Sequence, residues 1–123
     1  MHRPTEDETH GFERTFTTEE VRQFAELSRG TQPRHIEPDE EGRLLIHGLL
    51  TATVPTKIGG DLEVLASSMS FEFRRPVYTE ERIVCTWSYE ELEDRYDLVA
   101  AVDCENDAGE TVLTATVEGL VWK

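Results

Sequence analysis

The chain has 123 residues, the size of one domain around a single core. It carries 26 acidic and 12 basic residues, a formal charge of −14, with 37% hydrophobic residues. This excludes the basic surface that nucleic-acid binding requires, and no run of 18 apolar residues is present to span a membrane as a helix.

The opening MHRPTEDETH is polar and acidic, without the apolar stretch of a secretory signal. Residues 1–11 are expected to be a flexible tail and 12–123 the single domain. GFERTF (11–16) has the make-up of a short edge strand. Thr17 and Glu20 stand at capping-box spacing, and Phe16 can staple onto Val21. Val21, Phe24, Ala25 and Leu27 recur on one face, which predicts a helix over Thr18–Ser28. Gly30 falls where a glycine stop belongs, and 30–43, broken by Pro33 and Pro38, is predicted to be loop.

Within 42–60, LLI suggests a short extended entry, and a second helix is predicted from Gly48 to the Gly59-Gly60 pair. Leu49, Leu50, Ala52 and Val54 make it apolar on more than one side, so it should be buried. Pro55 inside it costs about 3 kcal/mol or forces a kink, so a bend or an early end is expected.

The remainder alternates with period two. Leu65, Ser67, Met69, Phe71 and Phe73 form one inward series; Ile83, Cys85, Trp87 and Tyr89 the next. ELEDR (91–95) is a polar turn, followed by Tyr96, Leu98, Ala100, Val102 and Cys104. NDAG (106–109) signals a hairpin before Leu113, Ala115, Val117, Gly119 and Val121. Cys85 and Cys104 fall on apolar faces and are expected to be buried, reduced thiols; no Cys/His cluster suggests zinc. An apolar helix with a run of antiparallel strands predicts an α+β architecture, the hot-dog fold: a curved antiparallel sheet wrapped around a central helix.

Four segments carry a family resemblance. FTTEEVRQFAELS (16–28) looks like an entry helix, SRGTQPRH (28–35) like a catalytic loop of the form S-G-D-x-N-P-[aliphatic]-H, HGLLTA (47–52) like the start of a central helix, and FEFRRPV (71–77) like a Phe-x-x-Pro-Val segment. In this order they resemble the MaoC-like dehydratases, which include the (R)-specific enoyl-CoA hydratases. The resemblance implies reversible hydration of a trans-2-enoyl-CoA by a homodimer or higher homo-oligomer, with no cofactor besides the coenzyme A thioester substrate. It implies catalytic roles for His35, the acid/base, and Gly48, whose N–H would face the thioester oxyanion at a helix start. Gly30, Gln32 and His47 are the implied substrate-binding positions.

The match departs from the pattern at the loop. Gly30 stands in place of the catalytic Asp, Gln32 in place of Asn and Arg34 in place of an aliphatic residue. Losing one proton-transfer group removes roughly 10²–10⁴ in rate, so weakened catalysis is one expectation. A non-catalytic acyl-CoA binder, or the scaffold half of a heteromeric dehydratase, is the alternative. Glu26, Glu37 and Asp39 are the nearby carboxylates that could stand in. A thioesterase would need a carboxylate on the central helix, and Leu49–Gly60 holds none. His47 also suits packing beside the helix start. Arg34, Arg74 and Arg75 suit solvated charges, with an Arg cluster the other possibility as a phosphate grip. Ten Arg, two Lys and dense carboxylates resemble the haloarchaeal habit and suggest a salt-rich cytoplasm.

Overall fold

Period-two alternation in the second half of the chain becomes four long strands, and a fifth comes from the N-terminal side. The computed structural model describes residues 4, 5, 8–93 and 97–121. The strands are β1 (Thr9–Thr15), β2 (Val64–Phe73), β3 (Arg82–Leu92), β4 (Asp97–Glu105) and β5 (Thr111–Val121). They form one antiparallel sheet in the order β1-β3-β4-β5-β2. The helical segments are α1 (Thr18–Ser28), α2 (Pro33–Ile36), α3 (Gly48–Thr51) and α4 (Thr53–Asp61). The sheet curves around α4, which packs on β1, β2 and β3. Gly59 lets α4 approach closely, since a Cβ there would lie 3.3 Å from the Trp87 ring.

α1 has its predicted bounds. Thr17 accepts from the Glu20 N–H while Glu20 accepts from the Thr17 N–H, and Phe16 and Val21 are both fully buried. The helix stop differs from the reading of Gly30. The left-handed residue is Arg29, at φ 62°, and Gly30 has ordinary backbone. The predicted loop also contains a helical turn, α2. Pro33 opens it at the first position, where the missing N–H would have had no partner.

The central helix divides at Ala52, into α3 and α4. The Pro55 ring would press on the carbonyl of Thr51, four residues back, so the bend falls one turn before the proline. Pro55 itself sits in the first turn of α4. Leu49, expected to be buried, is 66% exposed at the start of α3.

Three further expectations are corrected. β1 begins at Thr9, inside the segment taken for a tail: Thr9, His10 and Gly11 pair with Ser88, Trp87 and Thr86. In β2 the register slips between Ala66 and Ser68. Below this bulge Val64 and Ala66 share the core-side face, opposite Val121 and Gly119; above it Met69, Phe71 and Phe73 do, of which Val64, Met69 and Phe71 are half-buried. Leu65 therefore faces outward, 53% exposed, where strict alternation had it inside. Finally, Cys85 and Cys104 form a disulfide rather than staying reduced. They are direct partners across β3 and β4, with Cα atoms 4.0 Å apart and both side chains on the core face. The hairpin at 106–109 is present, with Gly109 at φ +77° and the Asn106 side chain accepting from the Ala108 and Glu110 N–H groups. Of the proposed turn at 91–95, Glu91 and Leu92 extend β3, and residues 94–96 lie outside the described residues.

Among the described residues no helix is long and apolar enough to cross a membrane. The bulge generates a two-sided prediction. A Cβ on Gly119 would lie 2.3 Å from the Leu65 carbonyl oxygen, whereas one on Gly60 would meet nothing within 4 Å. Gly119→Ala should cost roughly 1–3 kcal/mol by overpacking. Gly60→Ala, in α4, should stabilise by roughly 0.5–1 kcal/mol. Urea-denaturation midpoints of the two variants should move in opposite directions; a shift of the same sign would contradict the backbone contact.

Candidate active site

The end of α1 turns the chain toward the centre of the molecule. Ser28 Oγ donates to the Phe24 carbonyl at 2.7 Å and accepts from the Gly30 N–H at 3.2 Å. The left-handed turn at Arg29 leaves the Gly30 carbonyl facing His47, whose Nε2–H donates to it at 2.7 Å. α2 then brings His35 to the segment that precedes α3. Leu45 N–H donates to the Arg34 carbonyl at 2.9 Å, and His35 Nδ1–H donates to the Leu45 carbonyl at 2.7 Å. Residues 44–46 are themselves pinned to 77–79: Ile46 N–H to Val77, Thr79 N–H to Leu44, and Leu44 N–H to the buried Thr79 hydroxyl.

The two imidazoles lie face to face, ring centres 3.7 Å apart and 16° from parallel, with Phe24 edge-on to His47 at 5.0 Å. A carbonyl oxygen can only accept, so each bonded ring nitrogen carries the proton. His35 therefore keeps its lone pair on Nε2, and His47 keeps its own on Nδ1. His47 is 8% exposed, and its Nδ1 is buried without a partner. Burial lowers its pKa from 6.5; the Gly30 carbonyl opposes this, and the neighbouring His35 adds to it.

α3 starts at Gly48, directly after His47. Its internal bonding begins with the Leu50 and Thr51 N–H groups, both donating to the His47 carbonyl. The N–H of Gly48 stands at the head of the helix, where such groups have no partner inside it. The Phe73 ring lies over this point: a Cβ on residue 48 would come within 2.9 Å of it, so glycine is required there. His35, Gly48, Thr51, Phe73, Arg74 and Arg75 line one cleft of about 390 Å³, with an apolar floor that includes Ile46, Val77 and Val112. A larger depression of about 560 Å³ lies on the outer sheet face among Ser70, Thr86, Ser88 and Thr116. It lacks a histidine and a helix start, so the chemistry points to the smaller cleft.

No protein-family model matches the chain, and no curated protein matches it. Solved structures do. An unliganded R-hydratase from Pseudomonas aeruginosa superposes with TM-score 0.85 at 15% identity, over 93% of this chain and 79% of that one. An (R)-hydratase from A. caviae involved in PHA biosynthesis gives 0.84 at 21% identity, over 94% and 95%. A MaoC-like dehydratase from Rhodospirillum rubrum gives 0.75 at 13%, over 94% and 91%. This chain has their hot-dog fold.

On the hot-dog scaffold the sequence-predicted residues separate. His35 and Gly48 share the cleft. His47 is packed behind His35 rather than lining it. Gly30 contributes its carbonyl, and a Cβ there would be 3.0 Å from the His47 ring and 3.2 Å from Ser28 Oγ. The imidazole of His47 thus presses on the space a carboxylate at position 30 would enter. Gln32 caps α2 by backbone alone and is exposed. None of the three carboxylates considered as substitutes lines the cleft. Asp39 is bound to Arg43, its pKa lowered first by the Arg43 backbone N–H. Glu37 lines the same outer groove as Asp39, and Glu26 is exposed on α1. Asp61, the first carboxylate after the central helix's glycines, pairs with Lys57. Sequence reasoning missed Thr51 and the Leu45 carbonyl, neither of which leaves a compositional signal.

The lowered pKa of His47 makes a stability prediction. The unfolded ring titrates near 6.5 and the folded ring below it, so between the two the unfolded chain holds the extra proton. Stability is complete above about pH 6.5 and declines as pH falls through that window. Glu20 and Asp39, both lowered from carboxylate values, lose their contributions only at more acid pH. Urea midpoints between about pH 8 and 5 should fall in the wild type and less so in His47→Gln; identical slopes would remove His47 as the cause.

Proposed function

We propose that this chain reversibly hydrates a trans-2-enoyl thioester of coenzyme A. The observation that carries the reading is that His35, with its lone pair left on Nε2, and the N-terminus of α3 line one cleft with an apolar floor. The thioester carbonyl would face the Gly48 N–H, where a preorganised donor stabilises developing negative charge. Water would attack C3. As that bond forms, its proton passes to His35 Nε2 and the π electrons move through C2 onto the thioester oxygen. When the carbonyl re-forms, C2 takes the proton back from the imidazolium. His47 supports this by staying neutral, since a second cation 3.7 Å away would oppose protonation of His35. The chain would act as a homodimer or higher homo-oligomer, for which the unpaired outer edges of β1 and β2 are available.

One imidazole doing both proton transfers is slower work than an Asp–His pair. No carboxylate among the described residues lines the cleft, which favours a second reading, an acyl-CoA-binding subunit whose missing acid comes from another chain. Crotonyl-CoA hydration in molar KCl separates the two. The first reading expects measurable turnover that His35→Ala lowers by about 10²-fold or more. It also expects Gly30→Asp to raise the rate once the His47 ring gives way by a few tenths of an ångström. Tight coenzyme A binding without turnover supports the second reading, and a His35→Ala variant as fast as wild type overturns the role of His35.

A further inference from the structure

The formally charged side chains that line the cleft are opposite in sign to the charge of the chain. With 26 acidic residues in 123, eleven lining residues would carry about two carboxylates by proportion, and the other depressions do carry them. The outer sheet face has Glu72, Asp103 and Glu105, and the groove beside α2 has Glu37 and Asp39. Among the described residues the cleft of His35 has none, and presents Arg75 together with Arg74, which stands between this cleft and the outer face.

Their placement is built into the backbone. The chain leaves β2 at Phe73, and the N–H groups of both Arg74 and Arg75 donate to the Val112 carbonyl, at 2.9 and 3.3 Å. Pro76 then fixes the exit. Both guanidinium groups stand at the rim, 52% and 57% exposed, held by Glu72 and Glu110 at 3.1 Å each. Such exposed pairs are weak, so a phosphate, which takes two parallel N–H bonds from a guanidinium, competes well for them.

Resting on the thioester reading above, we propose that Arg74 and Arg75 are the specificity residues of this cleft, gripping the phosphates of the coenzyme A carrier at its rim while the acyl end reaches the α3 N-terminus. In a chain at −14, these two guanidinium groups, exchanging Glu72 and Glu110 for phosphate, supply the short-range attraction that an anionic ligand needs. A thioester without phosphates should gain nothing from it.

The test compares crotonyl-CoA with crotonyl-N-acetylcysteamine, which lacks every phosphate, in the full-length protein and in Arg74→Ala, Arg75→Ala and Arg75→Lys. The two Ala variants should raise KM for crotonyl-CoA by about tenfold with kcat unchanged, and leave the N-acetylcysteamine thioester untouched. Arg75→Lys should recover part of the loss. Calorimetric titration with free coenzyme A and with dephospho-coenzyme A reads the same contact without turnover and assigns it to the terminal phosphate or to the diphosphate. Equal losses on both thioesters, or unchanged coenzyme A affinity in the Ala variants, overturn the grip. If no thioester is hydrated but coenzyme A binds about tenfold more weakly to the variants, the grip stands and the hydratase reading falls. If crotonyl-CoA is hydrated equally well by all variants, the reverse holds.

Discussion

Two backbone carbonyls, those of Gly30 and Leu45, set the tautomers and positions of the two stacked histidines. Each accepts one imidazole N–H, from His47 and His35 respectively. Because a carbonyl cannot donate, the two bonds dictate the tautomers, and because both carbonyls sit on pinned backbone they dictate ring positions as well. The stacked arrangement follows from these anchors. So does the difference between the rings: one lines the cleft, and the other is buried behind it with its pKa lowered by that burial.

What keeps the anchors in place is the sheet around its helix. Residues 44–46 bond to 77–79, which lead into β3, whose Trp87 meets Gly59 of α4. The same rigid frame positions the α3 start and lays Phe73 over it. Such a frame holds a short α3 in place even though a helix of one turn has little stability of its own. The Cys85–Cys104 bridge lies inside this frame, tying β3 to β4 on the core face.

The unusual composition acquires meaning only locally. A surface with dense carboxylates says little about any one of them, and the structure commits several to neighbours: Glu20 to Arg14, Asp39 to Arg43, Asp61 to Lys57. The informative fact is where they are missing. Position 30 is a glycine, and the His47 ring lies 3.0 Å from where its Cβ would be, so placing a carboxylate there requires the neighbouring ring to move. Substituting a residue in a packed site is thus a question of volume as much as of chemistry.

Local signals were enough for α1, its capping box, the inward faces of β3 and β4, and the hairpin at Gly109, because each depends on residues within one or two turns of one another. The loop histidine and the helix-start glycine were legible as motifs, and the resemblance implied one shared site, while the contacts that hold them there were not legible. Tertiary structure alone decided the rest, since it depends on which backbone lies opposite which. At the β2 bulge the Leu65 side chain faces outward while its carbonyl lies against Gly119. Strand register sets Cys85 against Cys104, and the chain path stacks His35 on His47, a pairing that no periodicity in the sequence could reveal. A sequence states what each residue can do, and only the folded backbone states what it does it to.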